Sequence, residues 1–194
     1  VTNIIKQFKV VNGQILFTNN DYSVNFNDLF FVKVGAVSGA DKVFEHKDGN
    51  AEFVCSYTRK TGKTKRMFYN KECSYLQSRK EELMSRKIKK FNESNWYTWG
   101  RNHYISDEER IYVNCKTRNK NPFFHNDCKN YDGSVLAIFP KFNCPDMKEL
   151  ANDLNNVDWD ELGFICDGRF IFSQKSLEQT VLPKTFNKYF KYIK

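Results

Sequence analysis

Residues Phe30 to Phe44 constrain the fold of this chain more than any other stretch. Phe30, Phe31, Val32 and Val34 are aromatic or β-branched, the side chains that fit a pleated, half-buried surface, so a strand begins here. Gly35 and Gly39 then arrive four residues apart with Ser38 and Asp41 beside them. Glycine permits positive φ and close backbone approach, and Ser and Asp bond locally to turn backbone. Val43 and Phe44 resume the apolar run. A buried strand therefore opens into a tight polar loop and re-enters the core. Ser38, Gly39 and Asp41 admit two readings: an ordinary turn, or a cradle whose backbone N–H groups face a phosphate.

Charge is concentrated in one window. Residues 56–90 hold twelve Lys/Arg and three acids, a net of +9, whereas the rest of the chain holds nineteen basic and twenty acidic residues. The whole excess of the +8 chain lies there, which points to a polyanionic partner, nucleic acid first. Within it, Ala51–Thr58 and Lys65–Tyr69 read as the arms of a hairpin turning at Lys60–Lys63. Arg59, Lys60, Lys63, Lys65 and Arg66 cluster at its tip and flanks, and a two-stranded basic ribbon can enter a major groove. A solvated basic face is the plainer alternative.

Residues 73–91 read as a helix with Leu76, Leu83 and Ile88 on its apolar side and a cationic last turn. Residues 95–104 are dense in aromatics, with Arg101 among them; they read either as a base-stacking surface or as a loop that seals a core. Residues 110–116 read as an alternating strand. Lys116, Arg118, Asn119 and Lys120 then form a basic loop before Pro122, and Arg and Asn make favoured bidentate contacts to guanine and adenine. Further elements are a hairpin at Asn12-Gly13 entered from Ile4, an Asn-rich loop over 19–27, a buried strand at 134–139, a helix over 146–155, a hairpin around Asp167-Gly168, and a basic terminal helix over 184–193. Strands and helices do not alternate as βα units. The expected fold is α+β, a curved, mostly antiparallel sheet with several peripheral helices, forming a single domain over residues 1–194.

Six cysteines at irregular spacing and three histidines offer no metal-ligand pattern. Cys55, Cys115 and Cys166 sit in apolar runs, where free cysteine behaves as a small buried hydrophobe. Reduced thiols, no signal peptide and no long apolar span predict a cytoplasmic protein without a membrane partner. Val1 is not a natural start, so the chain reads as a piece of a longer protein.

Val34-Gly35-Ala36-Val37-Ser38-Gly39-Ala40-Asp41 followed by Phe44 resembles a segment at the start of the C-terminal target recognition domain of γ-class adenine-N6 DNA methyltransferases. Residues 111–118 and 162–172 resemble later stretches of the same domain, so the resemblance spans about residues 5–185. It implies sequence-specific recognition of duplex DNA for a restriction-modification system. It also implies a catalytic methyltransferase domain as partner, with S-adenosylmethionine bound there rather than in this chain.

The catalytic parts of that family are missing here. Asn121-Pro122-Phe123-Phe124 has one proline where the methyltransferase motif has two, and no F-x-G-x-G loop occurs. No catalytic, cofactor-binding or metal residue is carried over. The alternatives are a stand-alone restriction nuclease with a divergent metal site, although Pro145-Asp146 is followed by Glu161-Leu162-Gly163 with no Lys in the acid-x-Lys place, and an RNA-binding module using the aromatics of 96–104.

Overall fold

The computed structural model of the chain describes residues 5–11 and 13–194; Ile4 and Asn12 lie outside them. The fold is α+β, with short helices set among antiparallel ladders. Contacts divide the chain into two compact units. The first comprises Val1–Lys33, Glu108–His125 and Leu136–Lys194; the second comprises Val34–Asp107 and Asn126–Val135.

A four-stranded sheet in the order Phe30–Val34, Val135–Pro140, Ile111–Asn114, Phe124–His125 organises the first unit. Every residue of Val135–Pro140 is buried, and so are Ile111, Tyr112 and Val113 in succession. The alternation expected over 110–116 is absent because both faces of this inner strand are covered. Even Arg110 is enclosed: its Nε donates to the Glu108 carbonyl at 3.0 Å and its guanidinium lies over the Phe139 ring at 4.7 Å. Phe123, Trp159 and Phe172 pack a second cluster, with centroids 5.1–5.6 Å apart. The helix Met147–Asn155 forms where expected. Asp146 caps it by accepting from the Lys148 and Glu149 amides, and Leu150, Ala151 and Leu154 are buried.

The Asn-rich stretch 19–27 is not a plain loop. Tyr22, Val24 and Phe26 alternate and are buried, and Val24–Asn25 pairs with Val181–Leu182. The terminal segment Lys184–Tyr192 is a 3-10 helix, which places Phe186 and Tyr189 on one buried side, three residues apart. Cys166 is exposed, contrary to the buried role read from its apolar neighbours.

Glu161 also departs from expectation. It clusters in sequence with Asp158 and Asp160, and the flanking Trp159 suggests an exposed helix start, yet its side chain is only 5% exposed. It accepts from Tyr22 at 2.5 Å and Asn20 at 2.8 Å and pairs with Lys6 at 3.3 Å, tying the N-terminal hairpin to the unit. Burial alone would raise its pKa, but the donors Tyr22, Asn20, Thr18 and Lys6 together lower it below the ordinary glutamate value. A carboxyl with a depressed folded pKa contributes stability above the unfolded pKa, about 4.3, and loses it as pH falls through the folded value. Glu161→Gln should therefore lower the melting temperature most at neutral pH, with the gap to wild type closing below about pH 4. A gap that stays constant across this range would show that charge at Glu161 contributes nothing.

The second unit is packed around aromatic residues. Trp99 stacks on Phe53 at 4.7 Å and donates from its indole to the Phe68 carbonyl at 2.8 Å. Trp96 is equally buried, so the two tryptophans of 95–104 seal a core, whereas Tyr104 is exposed. The single helix expected over 73–91 is two short ones, Ser74–Gln77 and Lys80–Met84, which bury Leu76 and Leu83. Each ends where a serine hydroxyl takes a helix carbonyl, Ser78 that of Tyr75 and Ser85 that of Glu82. The Leu83 carbonyl is then claimed by the side chain of Arg86, at 2.7 Å from its Nε.

Candidate nucleic-acid interface

The glycine loop is a clamped turn. Gly35 presses its backbone against Asp132, Ala36 donates to the Tyr131 carbonyl at 2.9 Å, and Val37 and Arg101 exchange backbone bonds at 2.9 and 3.0 Å. Ser38 is fully buried. Its hydroxyl accepts from the Ala40 amide at 3.0 Å and donates to the Asp41 carboxylate, while its carbonyl accepts from Arg86 at 2.6 Å. Arg101 spends its guanidinium on the Gly35 carbonyl, at 3.2 Å from Nε and 3.0 Å from a terminal nitrogen. Gly39, at φ +79°, Asp41 and Lys42 are exposed, and so is Arg101 although its guanidinium is tied to the Gly35 carbonyl. The cleft beside them, about 590 Å³, is lined by Asp41 and Glu82 as well as Lys42 and Arg86. The two carboxylates offset the two cations in this lining, and Arg86 is already committed to three carbonyls, so the chemistry here suits a scaffold better than an anion cradle.

The basic hairpin is present in part. Ala51–Phe53 pairs antiparallel with Lys65–Met67, Glu52 lying opposite Arg66. The connection between them is not a continuation of the ribbon but a helical turn, Thr58–Thr61, closed by Gly62 at φ +71°. Thr58 initiates that turn by accepting from the Cys55 amide at 2.9 Å. Two of the five cations are used internally. Lys65 meets Asp132 at 3.4 Å, and Arg66 meets Glu52 at 2.6 Å. Burial opposes the charge on Lys65, but Asp132, Cys55 and Asp41 together outweigh it and its pKa is raised. Arg59 is half-buried. Lys60 and Lys63 stand exposed at the turn with no anionic partner among the described residues. If the turn tracks a DNA backbone, replacing both with Ala should weaken binding to all duplexes alike. It should also flatten the salt slope by about one unit for each lost phosphate contact, with stability changed by no more than about 0.5 kcal/mol. Unchanged affinity would mark them as a solvated face.

The second basic loop belongs to the first unit. Lys116–Thr117 pairs with Phe170–Ile171. Asn119 donates its amide to the Thr117 hydroxyl at 3.0 Å, Asn121 donates to the Asn119 side chain at 2.9 Å, and Phe123 exchanges two bonds with Asn155. The loop is thus held, as Pro122 suggests, and Lys116, Arg118, Asn119 and Lys120 are exposed on it. Phe123 is buried against Trp159 and Phe172, and Phe124 pairs with Tyr112. The ring that would stack on a base in a methyltransferase motif is therefore core, and these residues do not fit methyl-transfer chemistry. Arg169 escaped the sequence reading. It follows Asp167-Gly168, and its strand lies next to Lys116–Thr117.

No family model and no curated protein matches the sequence. A solved structure does match in fold. The chain is similar to a Type IIL restriction-modification enzyme, MmeI, whose structure was determined in complex with DNA, at a TM-score of 0.53 and 8% identity. The match covers 89% of this chain and 25% of that one. At this identity the likeness is one of fold, and it places nearly all of the present chain on about a quarter of a longer enzyme. Among the described residues, no group of three or more His, Cys, Asp or Glu is placed to hold a metal ion, and no helix is long and apolar enough to cross a membrane.

Proposed function

We propose that this chain is a duplex-DNA recognition module of a restriction-modification protein. The observation that carries this reading is the fold shared, over 89% of the chain, with a restriction-modification enzyme solved on DNA. The surface chemistry agrees with it: Lys60 and Lys63 on one unit, and Lys116, Arg118 and Lys120 on the other, are exposed on turns and loops held by internal hydrogen bonds. Cations on held loops suit phosphate contact and base contact because little loop freedom is lost on binding.

The resemblance of residues 34–44, 111–118 and 162–172 to γ-class adenine-N6 methyltransferases supports a finer reading. In it the module serves a cytoplasmic methyltransferase whose catalytic domain, the partner of this chain, binds S-adenosylmethionine. The RNA-binding alternative is weakened, since Trp96 and Trp99 are buried and cannot stack on single-stranded bases, which leaves Tyr104 as the exposed ring of that stretch. The test is competition among duplex DNA, single-stranded DNA and RNA of one sequence for the purified chain. Duplex DNA should displace the others. Preference for RNA or for single strands would overturn the reading.

A further inference from the structure

The sheet formed by Ile165–Cys166, Arg169–Ile171 and Lys116–Thr117 contains no buried residue. Its register sets Cys166 opposite Arg169, Ile165 opposite Phe170, Phe170 opposite Thr117 and Ile171 opposite Lys116. Alternation then puts Cys166, Arg169, Ile171 and Lys116 on one face, and Ile165, Phe170 and Thr117 on the other. Neither face is closed. Ile165, Cys166 and Lys116 are exposed, and Arg169, Phe170 and Ile171 are half-buried. A sheet open on both faces gains little from burial, so stability alone does not account for it.

We propose that the hairpin Ile165–Ile171 is the base-reading element of this chain, inserted into the major groove of duplex DNA with Arg169 at a base edge. The proposal rests on the DNA-recognition reading above. Asp167 and Gly168, at φ +51° and +69°, make a two-residue turn of the kind that matches strand twist, so the hairpin is narrow. Two strands about 4.8 Å apart, with side chains on both faces, fit a groove about 12 Å wide. The charge is complementary: Arg169 on the hairpin and Lys116, Arg118 and Lys120 on the adjoining strand and loop outnumber the one acid, Asp167. That acid stands at the apex. It would repel a phosphate, but a carboxylate can accept from a cytosine amino group, so the apex suits the groove floor rather than the backbone.

Arg169 adds an independent observation. Its Nε is buried with no hydrogen-bond partner, whereas the residue as a whole stays half-exposed. An enclosed Nε seats the guanidinium and limits its rotamers, and pre-organisation of this kind favours bidentate contact.

The test is selection of duplexes from a random-sequence pool by the full 194-residue chain, as wild type and as Arg169→Ala, Arg169→Lys and Lys60→Ala/Lys63→Ala variants. Wild type should enrich a defined motif. Arg169→Ala should lose preference at one position by about 10- to 100-fold, the range expected of a bidentate base contact. Arg169→Lys should lose it as well, because an ammonium keeps the charge but not the fork. The double lysine variant should enrich the wild-type motif with weaker binding throughout. Thermal unfolding of Arg169→Ala matching wild type would exclude misfolding as the cause. Enrichment of the unchanged motif by Arg169→Ala would overturn the proposal. Binding of duplex by wild type without any motif would also overturn it while leaving DNA binding intact, whereas no binding to duplex at all would bring down the recognition reading itself.

Discussion

Arg86→Met should destabilise the chain by about 3–5 kcal/mol, the largest effect of any single side chain outside the apolar core. The residue is 9% exposed and its guanidinium donates to three carbonyls, those of Leu83, Ser38 and Trp96. The rings of Phe44 and Phe91 lie 5.2 and 3.8 Å from it. Burial pushes its pKa down to about 10, so it stays charged at neutral pH. Methionine fills part of the volume but satisfies none of the three acceptors, and each buried acceptor left without a donor costs about 1–3 kcal/mol. The open cleft lets water recover part of that loss, hence an estimate below the sum. Arg86→Lys should rescue little, because one ammonium cannot span three carbonyls that the planar fork reaches together. For a chain of this size the loss corresponds to a fall of roughly 10 °C in melting temperature. A fall below about 2 °C for Arg86→Met would show that the loop is held by other contacts.

Gly35→Ala should cost about 3 kcal/mol or more, for a steric reason. A Cβ at Gly35 would sit 1.8 Å from the Asp132 carbonyl oxygen and 2.3 Å from its carbon. Both are backbone atoms, and Asp132 is itself fixed by Lys65 and by its bonds to Ser134. Overpacking into such a place costs about 1–3 kcal/mol when the surroundings can shift, and more when they cannot. Gly100→Ala is the informative comparison. The three atoms nearest its Cβ would all belong to the side chain of Ile88, the first at 2.3 Å, and Ile88 is 43% exposed with room to swing away. Denaturant unfolding of the two variants should therefore separate them by about 2 kcal/mol. Equal destabilisation would mean that the backbone around Asp132 gives way as easily as a side chain.

These two residues show where the sequence was legible. The Gly35 and Gly39 loop announces itself through residue types with one local use, and both the close approach at Gly35 and the positive φ at Gly39 are present. The helix capped by Asp146 and the strand before Pro140 are equally plain, since capping and hydrophobic runs are local signals. Arg86 was not legible. In sequence it is one of six cations along an apparent amphipathic helix, and only tertiary structure reveals that it leaves the solvent to hold carbonyls at residues 38 and 96. Arg110 and Glu161 misled for the same reason: a charged residue reads as exposed unless its distant partners are known.

Among the candidate interface residues, local reasoning found the exposed cations Lys60, Lys63, Lys116, Arg118 and Lys120. It could not foresee that Lys65, Arg66 and Arg101 are engaged within their own unit. It also passed over Arg169, because the strand Lys116–Thr117 beside it lies some fifty residues away in sequence.

Recognition of duplex DNA is tested most directly by the salt dependence of its affinity for the wild-type chain. Five exposed cations on held turns and loops predict that the logarithm of affinity falls linearly with the logarithm of salt concentration. The slope should lie between about −3 and −5, near −0.9 per phosphate neutralised. A slope close to zero, or no measurable binding to duplex at low salt, would contradict DNA recognition by this chain.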